Sequence, residues 1–243
     1  SVTEEFKNYL EMGGMPFLVN LRYDKDASMQ YLRDVYNSVL LKDVVQRNNI
    51  RDVELLERMI LYLLDNVGHS FSARSISNYL KQENRKVSTE TILNYIKACC
   101  DAYLFIKLRR EDIQGKKILS ANEKYYSVDH GLRESILGTN TKNIDQVLEN
   151  IVCMELLRRG YTVTIGKNGE KEIDFIASKN KDKLYIQVAY LLAGSETIER
   201  EFGIYDSVRD HYPKYVLSLD EFDMSRNGVK HLNIRDFLLS KEF

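Results

Sequence analysis

The chain has 243 residues, with 35 basic and 36 acidic side chains and a formal net charge of −1, so overall charge gives no argument for DNA, RNA or an anionic membrane. The length suits two domains of roughly 100 to 150 residues each. Cys99, Cys100 and Cys153 are too few and too irregularly spaced for a disulfide scaffold or a zinc site, and no apolar run approaches the roughly 20 residues that span a bilayer.

Ser1-Val2-Thr3-Glu4-Glu5 has no basic-then-apolar leader, so a cytoplasmic protein with no membrane partner is expected. The chain enters a helical pattern at once, as a piece of a longer protein would, and turns at Gly13-Gly14-Met15-Pro16. Tyr31, Leu32, Val35, Val39, Leu40 and Val44 recur mostly at three- and four-residue spacing, which predicts one buried helical face. A second helix is expected over about 53–67, stopping at Gly68. Two shorter helices follow at about 73–81 and 89–102. Ser88 is the expected N-cap of the latter, with Glu90 in its first turn. Its core face is expected to hold Ile92, Leu93, Ile96, Cys99 and Cys100.

Strands come next. Leu104-Phe105-Ile106-Lys107-Leu108-Arg109 partly alternates, turns at Gln114-Gly115, and is answered by Lys117-Ile118-Leu119 and then by Lys124-Tyr125-Tyr126-Ser127-Val128. Three helices followed by a hairpin is the order of a winged helix-turn-helix domain. Residues 137–145, with Gly138, Thr139, Asn140, Thr141 and Asn143, read as a linker. Beyond it the pattern is a helix over about 146–159, a strand at Tyr161-Thr162-Val163-Thr164-Ile165, two further strands, a helix over about 195–209 and a strand at Lys214-Tyr215-Val216-Leu217-Ser218. That order is αβββαβ, with a last short element near 232–239.

The two central strands, Gly169-Glu170-Lys171-Glu172-Ile173-Asp174-Phe175-Ile176 and Leu184-Tyr185-Ile186-Gln187-Val188-Ala189-Tyr190, carry acids and an amide where core strands carry aliphatics. Strand alternation puts Glu172, Asp174 and Ile176 on one side, and adjacent strands roughly 5 Å apart let Asp174 meet Gln187. A hard divalent ion such as Mg²⁺ takes such oxygen ligands, and a nuclease adds a lysine against charge developing on the phosphate. The order and spacing resemble the restriction-endonuclease-like PD-(D/E)xK superfamily, whose motif is an acid on one strand and (Asp/Glu/Gln)-x-Lys on the next. The resemblance implies Asp174 and Gln187 as site residues and Glu149 as the acidic residue of the preceding helix, with Glu149 and Asp174 as ligands of any Mg²⁺ or Mn²⁺. Ala189 stands where the lysine belongs, so a degenerate nuclease fold is expected. The alternative is an active metal-dependent nuclease into which Lys171 or Lys183 reaches.

In the winged-helix half the third helix offers Asn94 and Lys97 beside Glu90 and Asp101, while cations gather at Arg85-Lys86, Arg109-Arg110 and Lys116-Lys117. This distribution suits contacts to DNA phosphates with little base readout. It suits a protein-interaction surface equally well.

Tyr9-Leu10-Glu11-Met12-Gly13-Gly14-Met15-Pro16, Tyr125-Tyr126-Ser127-Val128-Asp129-His130-Gly131-Leu132 and the two central strands together resemble the C-terminal part of the prokaryotic predicted AAA+ ATPases. In that family alanine at the lysine position is usual. The resemblance implies residues 1–27 as a remnant of an ATPase lid, 28–137 as the winged helix and 138–243 as the degenerate nuclease-like domain. It also implies ATP bound only in a separate N-terminal module. No phosphate-cradling Gly-x-x-x-x-Gly-Lys-(Ser/Thr) loop occurs here, since Gly166-Lys167 precedes Asn168 and Gly115-Lys116 precedes Lys117. His69, His130, His211 and His231 lack metal-ligand spacing, and Ser127 and Ser218 lack a nucleophile elbow.

Overall fold

Side-chain caps set the boundaries of the first elements in this computed structural model, which describes residues 1–82, 85–115, 117–138 and 143–241. The Ser1 hydroxyl accepts the Glu4 N–H at the start of α1 (Val2–Met12), and a 3-10 turn follows at Pro16–Val19. Asp24 opens α2 (Lys25–Val39), which runs on into a π-helical turn, Leu40–Gln46. Asp52 opens α3 (Val53–Asp65), α4 is Ala73–Gln82, and Ser88 opens α5 (Thr89–Asp101). Each of these oxygens satisfies an N–H that a helix start otherwise leaves without a partner. A hairpin of β1 (Phe105–Asp112) and β2 (Lys117–Ser127) leads to α6 (His130–Leu137).

The remaining elements are α7 (Ile144–Arg158), β3 (Thr162–Asn168), β4 (Lys171–Lys179), β5 (Asp182–Val188), α8 (Ser195–Gly203), β6 (Lys214–Ser218), β7 (Lys230–Asn233) and α9 (Ile234–Leu239). The strands form a mixed sheet in the order β2-β1-β3-β4-β5-β6-β7. Within it β3-β4 and β4-β5 are antiparallel, whereas β1-β3, β5-β6 and β6-β7 are parallel. The fold is therefore mixed α and β, with a mostly helical N-terminal part. Among the described residues no helix is long and apolar enough to cross a membrane.

The chain divides into two units. One comprises Ser1–Lys107 and Asn122–Thr141, the other Leu108–Ala121 and Lys142–Phe243. The first has a core of Leu18, Leu32, Leu40, Leu56, Ile60, Ile76 and Ile92, all essentially inaccessible. The second packs Ile173, Ile176, Tyr185 and Val216 against Phe202 and Tyr205. Residues 139–142 of the expected linker lie outside the described residues.

Three local expectations change. β1 runs three residues past Arg109, through Arg110-Glu111-Asp112, because those residues gain a second partner strand, pairing with Ile165-Gly166-Lys167 of β3; local propensity carries no trace of such a partner. Leu93 is 53% exposed, not core, since Ile92, Ile96 and Cys99 share one face of α5 and Leu93 is turned about 100° from Ile92. α8 stops at Gly203 and not near 209. From there Tyr205 and Asp206 donate to the carbonyls three residues back, at Phe202 and Gly203, in tighter turns.

Candidate functional site

Strands β4 and β5 pair from Lys179↔Asp182 to Phe175↔Ile186. Beyond that point β5 follows β6, with Gln187 beside Val216, Val188 beside Leu217, and the Ala189 N–H donating to the Leu217 carbonyl at 2.9 Å. Where the β4-β5 ladder ends, side chains take over for the backbone. The Asp174 N–H donates to Gln187 Oε1 at 3.2 Å, and the Val188 N–H donates to Asp174 Oδ2 at 2.8 Å. An unsatisfied buried backbone group costs roughly 1–3 kcal/mol, so this exchange stabilises the sheet where its strands diverge.

A cleft of about 370 Å³ opens beside this exchange, lined by Glu149 of α7, Asp174, Gln187, Ala189, and Arg200 and Glu201 of α8, with Asp145 also on its wall. The three residues singled out from the sequence thus share one cleft. Glu172, on the same side of β4 by alternation, is instead ion-paired with Arg110. Asp145, Arg200 and Glu201 are cleft residues that sequence reasoning missed. A weak signal for Glu201 existed: a carboxylate beside core Phe202, and it is 5% exposed.

The cleft's electrostatics are set by four carboxylates, Asp145, Glu149, Asp174 and Glu201, against one guanidinium. Arg200 donates to Glu201 Oε1 at 2.8 Å. Ala189 is packed in the second unit's core. Of the two lysines considered as substitutes, Lys171 donates to the Gly203 carbonyl at 3.2 Å and Lys183 to Glu111 Oε1 at 2.8 Å. Neither lines the cleft. Burial, with the Asp174 and Glu201 charges next, pushes the Tyr205 hydroxyl well above the ordinary tyrosine range, and that hydroxyl donates to the Tyr215 carbonyl at 2.7 Å. Among the described residues no three His, Cys, Asp or Glu side chains are grouped to hold a metal ion. Mg²⁺ asks for near-octahedral oxygens at about 2.0–2.1 Å. Glu149 and Asp174 line the cleft together, and Gln187 Oε1 is engaged by the Asp174 N–H.

The cations expected at DNA fall into two groups. Arg85 pairs with Asp52 at 3.4 Å and Glu54 at 2.6 Å, and Arg110 with Glu172. Lys86, Arg109 and Lys117 are exposed, and Lys116 lies outside the described residues.

Two other constellations prove to be structural. Asp129 accepts the Gly14 N–H at 2.9 Å and the Gly131 N–H at 2.7 Å, while His130 Nε2 lies 2.6 Å from the Tyr9 carbonyl. The Gly13-Gly14 and Asp129-His130-Gly131 phrases therefore meet as one clasp. A Cβ on Gly131 would collide with the Met12 carbonyl, and Gly13 has φ 78°.

Ser218, Asp220 and His231 look like a hydrolytic triad, but the hydrogen bonds run the wrong way. His231 Nδ1 accepts the Met224 N–H at 3.2 Å, so Nε2 carries the proton and donates to Ser218 Oγ at 2.8 Å; Ser218 in turn donates to Asp220 at 2.7 Å. A general base needs its lone pair on the serine.

A family model described as a domain of unknown function, DUF8612, matches residues 3–143. An uncharacterized protein of Haemophilus influenzae is 36% identical over 239 residues, 98% of this chain and 58% of that protein. An uncharacterized protein of Methanocaldococcus jannaschii, MJ1544, is 31% identical over 203 residues, 82% of this chain and 44% of that protein. The chain thus spans about half the length of these curated relatives. No solved structure matches it. With the family model covering more than half of its residues, the chain belongs to the DUF8612 family.

Proposed function

We propose that this chain is a DNA-binding and interaction module in which a winged helix-turn-helix half precedes a restriction-endonuclease-like half with a degenerate catalytic centre. The observation that carries the reading is the work done by Asp174 and Gln187. Both close the end of the β4-β5 ladder, in a cleft where Ala189 occupies the lysine position. A phosphate entering that cleft meets four carboxylates and no lysine among its lining residues, so transition-state charge lacks the stabilisation that phosphoryl chemistry requires. The order α3-α4-α5-β1-β2 supports the winged-helix reading, and α7-β3-β4-β5-α8-β6 supports the nuclease-like one. Exposed Lys86, Arg109 and Lys117 support phosphate contact. In this reading the chain serves an AAA+ ATPase module of the same protein, where ATP binds. The greater length of both relatives supports it.

A second reading, a metal-dependent nuclease, is favoured by one observation: Arg200 brings a guanidinium to the cleft wall. Incubating the chain with linear and supercoiled duplex plus Mg²⁺ or Mn²⁺ separates the readings. Retention of DNA without cleavage is expected. Cleavage that disappears in Asp174→Ala establishes the second reading and removes the first. Absence of retention at low salt leaves a purely protein-binding regulatory module.

A further inference from the structure

The chain contains two Asn-Gly pairs, Asn168-Gly169 and Asn227-Gly228, and the fold treats them in opposite ways. A backbone N–H attacks the preceding carboxamide most readily in this dipeptide, because glycine has no Cβ to obstruct the approach. At Asn168 the fold opposes that attack. The residue is 4% exposed and sits in the β3-β4 ladder opposite Lys171. Its Nδ2 donates to the Ile204 carbonyl at 3.3 Å and to Ser207 Oγ at 2.6 Å, and its Oδ1 accepts from Gln114 at 3.5 Å. The carboxamide cannot swing toward Gly169 without breaking these bonds.

Asn227 and Gly228 are both exposed. They are the central residues of a tight turn closed by the Arg226 N–H to the Val229 carbonyl at 3.0 Å and the Val229 N–H to the Arg226 carbonyl at 2.9 Å. Their φ angles, 52° and 77°, are left-handed, as a type I′ turn requires. Neither closing bond uses the Gly228 N–H, and a Cβ at Gly228 would meet nothing within 4 Å, so the turn has room to rearrange. Among the described residues no hydrogen bond holds the Asn227 carboxamide.

We propose that Asn227 is a site of spontaneous covalent modification, at which the carboxamide is lost and an aspartyl or isoaspartyl residue takes its place. The Gly228 amide nitrogen, losing its proton to hydroxide, bonds to Asn227 Cγ, and the carboxamide nitrogen leaves as ammonia. Water then opens the five-membered succinimide. Breaking its bond to Cγ gives aspartate, and breaking its bond to the backbone carbonyl carbon gives isoaspartate. The balance is one water in and one ammonia out, with no change of oxidation state. Either product adds a carboxylate to the lining of a cavity of about 510 Å³ and beside the Arg226–Glu199 ion pair, 3.2 Å apart. Isoaspartate also adds a backbone carbon to the turn, which breaks the pairing of Arg226 with Val229.

The test is a time course of the full chain at neutral and mildly alkaline pH in ¹⁸O-labelled water, read by peptide mass mapping and by enzymatic methylation of isoaspartate. The Asn227 peptide is expected to exchange its amide nitrogen for one solvent oxygen, faster at the higher pH. Asn168 should react about tenfold more slowly or less, because it must first open locally. In denaturant the two rates should converge, which assigns the difference to the fold. Gly228→Ala should suppress the reaction at Asn227, and the parent chain's own mass record stands whether or not that variant folds. If Asn227 keeps its nitrogen in the folded chain while the denatured chain converts, or if Asn168 converts as fast as Asn227, the assignment falls.

Discussion

At the residue scale, much of what distinguishes this sequence is local geometry. Gly131→Ala drives a methyl group into the Met12 carbonyl and against Asp129. A loss of about 1–3 kcal/mol is expected, more if the backbone cannot shift, and would be read from denaturant midpoints. Asp174 has an ordinary structural duty as well. Asp174→Ala should cost about 1–3 kcal/mol because the Val188 N–H loses its acceptor, whereas Asp174→Asn, which keeps an acceptor, should cost less. Burial holds the His231 imidazole below the usual histidine range, against the opposing pull of Asp220 and Asp223. Its folded value lies below its unfolded one, so its stabilisation is present above about pH 6.5 and is lost as pH falls through the folded value. Thermal melts from pH 8 to pH 5 should therefore slope downward, and His231→Gln should flatten that slope.

The elements were legible where a pattern runs along the chain and obscure where a partner strand decides. Ser88, Ile92 and Ile96 announce α5 through cap and period. Nothing along the chain announces that β1 continues through Arg110-Glu111-Asp112, because that extension comes from pairing with β3. The candidate site divides in the same way. Alternation places Asp174 near Gln187, and the resemblance adds Glu149, yet Arg200 and Glu201 reach the cleft only through the packing of α8. A further element-scale link lies at the end of α7, where Arg159 binds Glu155 at 2.6 Å and the carbonyls of Phe237 and Ser240 at 2.8 Å each. Its guanidinium also lies over the Phe237 ring. Arg159→Ala should cost about 2–4 kcal/mol, and Arg159→Lys should recover little, because an ammonium cannot reproduce the guanidinium fork. Hydrogen exchange at α9 amides would locate the loss.

For the whole molecule, a net charge of −1 means that any affinity for DNA comes from a handful of local cations. Exposed Lys86, Arg109 and Lys117 set the ceiling, so the slope of log affinity against log salt should be no steeper than about −2.7. A steeper slope in an anisotropy titration would mean that cations outside this set bind phosphate. Chain-wide organisation also bears on the order of events during synthesis. Gly14 waits for Asp129, a partner 115 residues further along, and the first unit is completed only by the stretch Asn122–Thr141 after the chain has visited the second. At about 5–20 residues per second, the ribosome leaves α1 without its clasp for roughly 6 to 23 s. A nascent chain arrested before Asp129 should therefore expose the α1 segment to protease, and one arrested well beyond Thr141 should protect it.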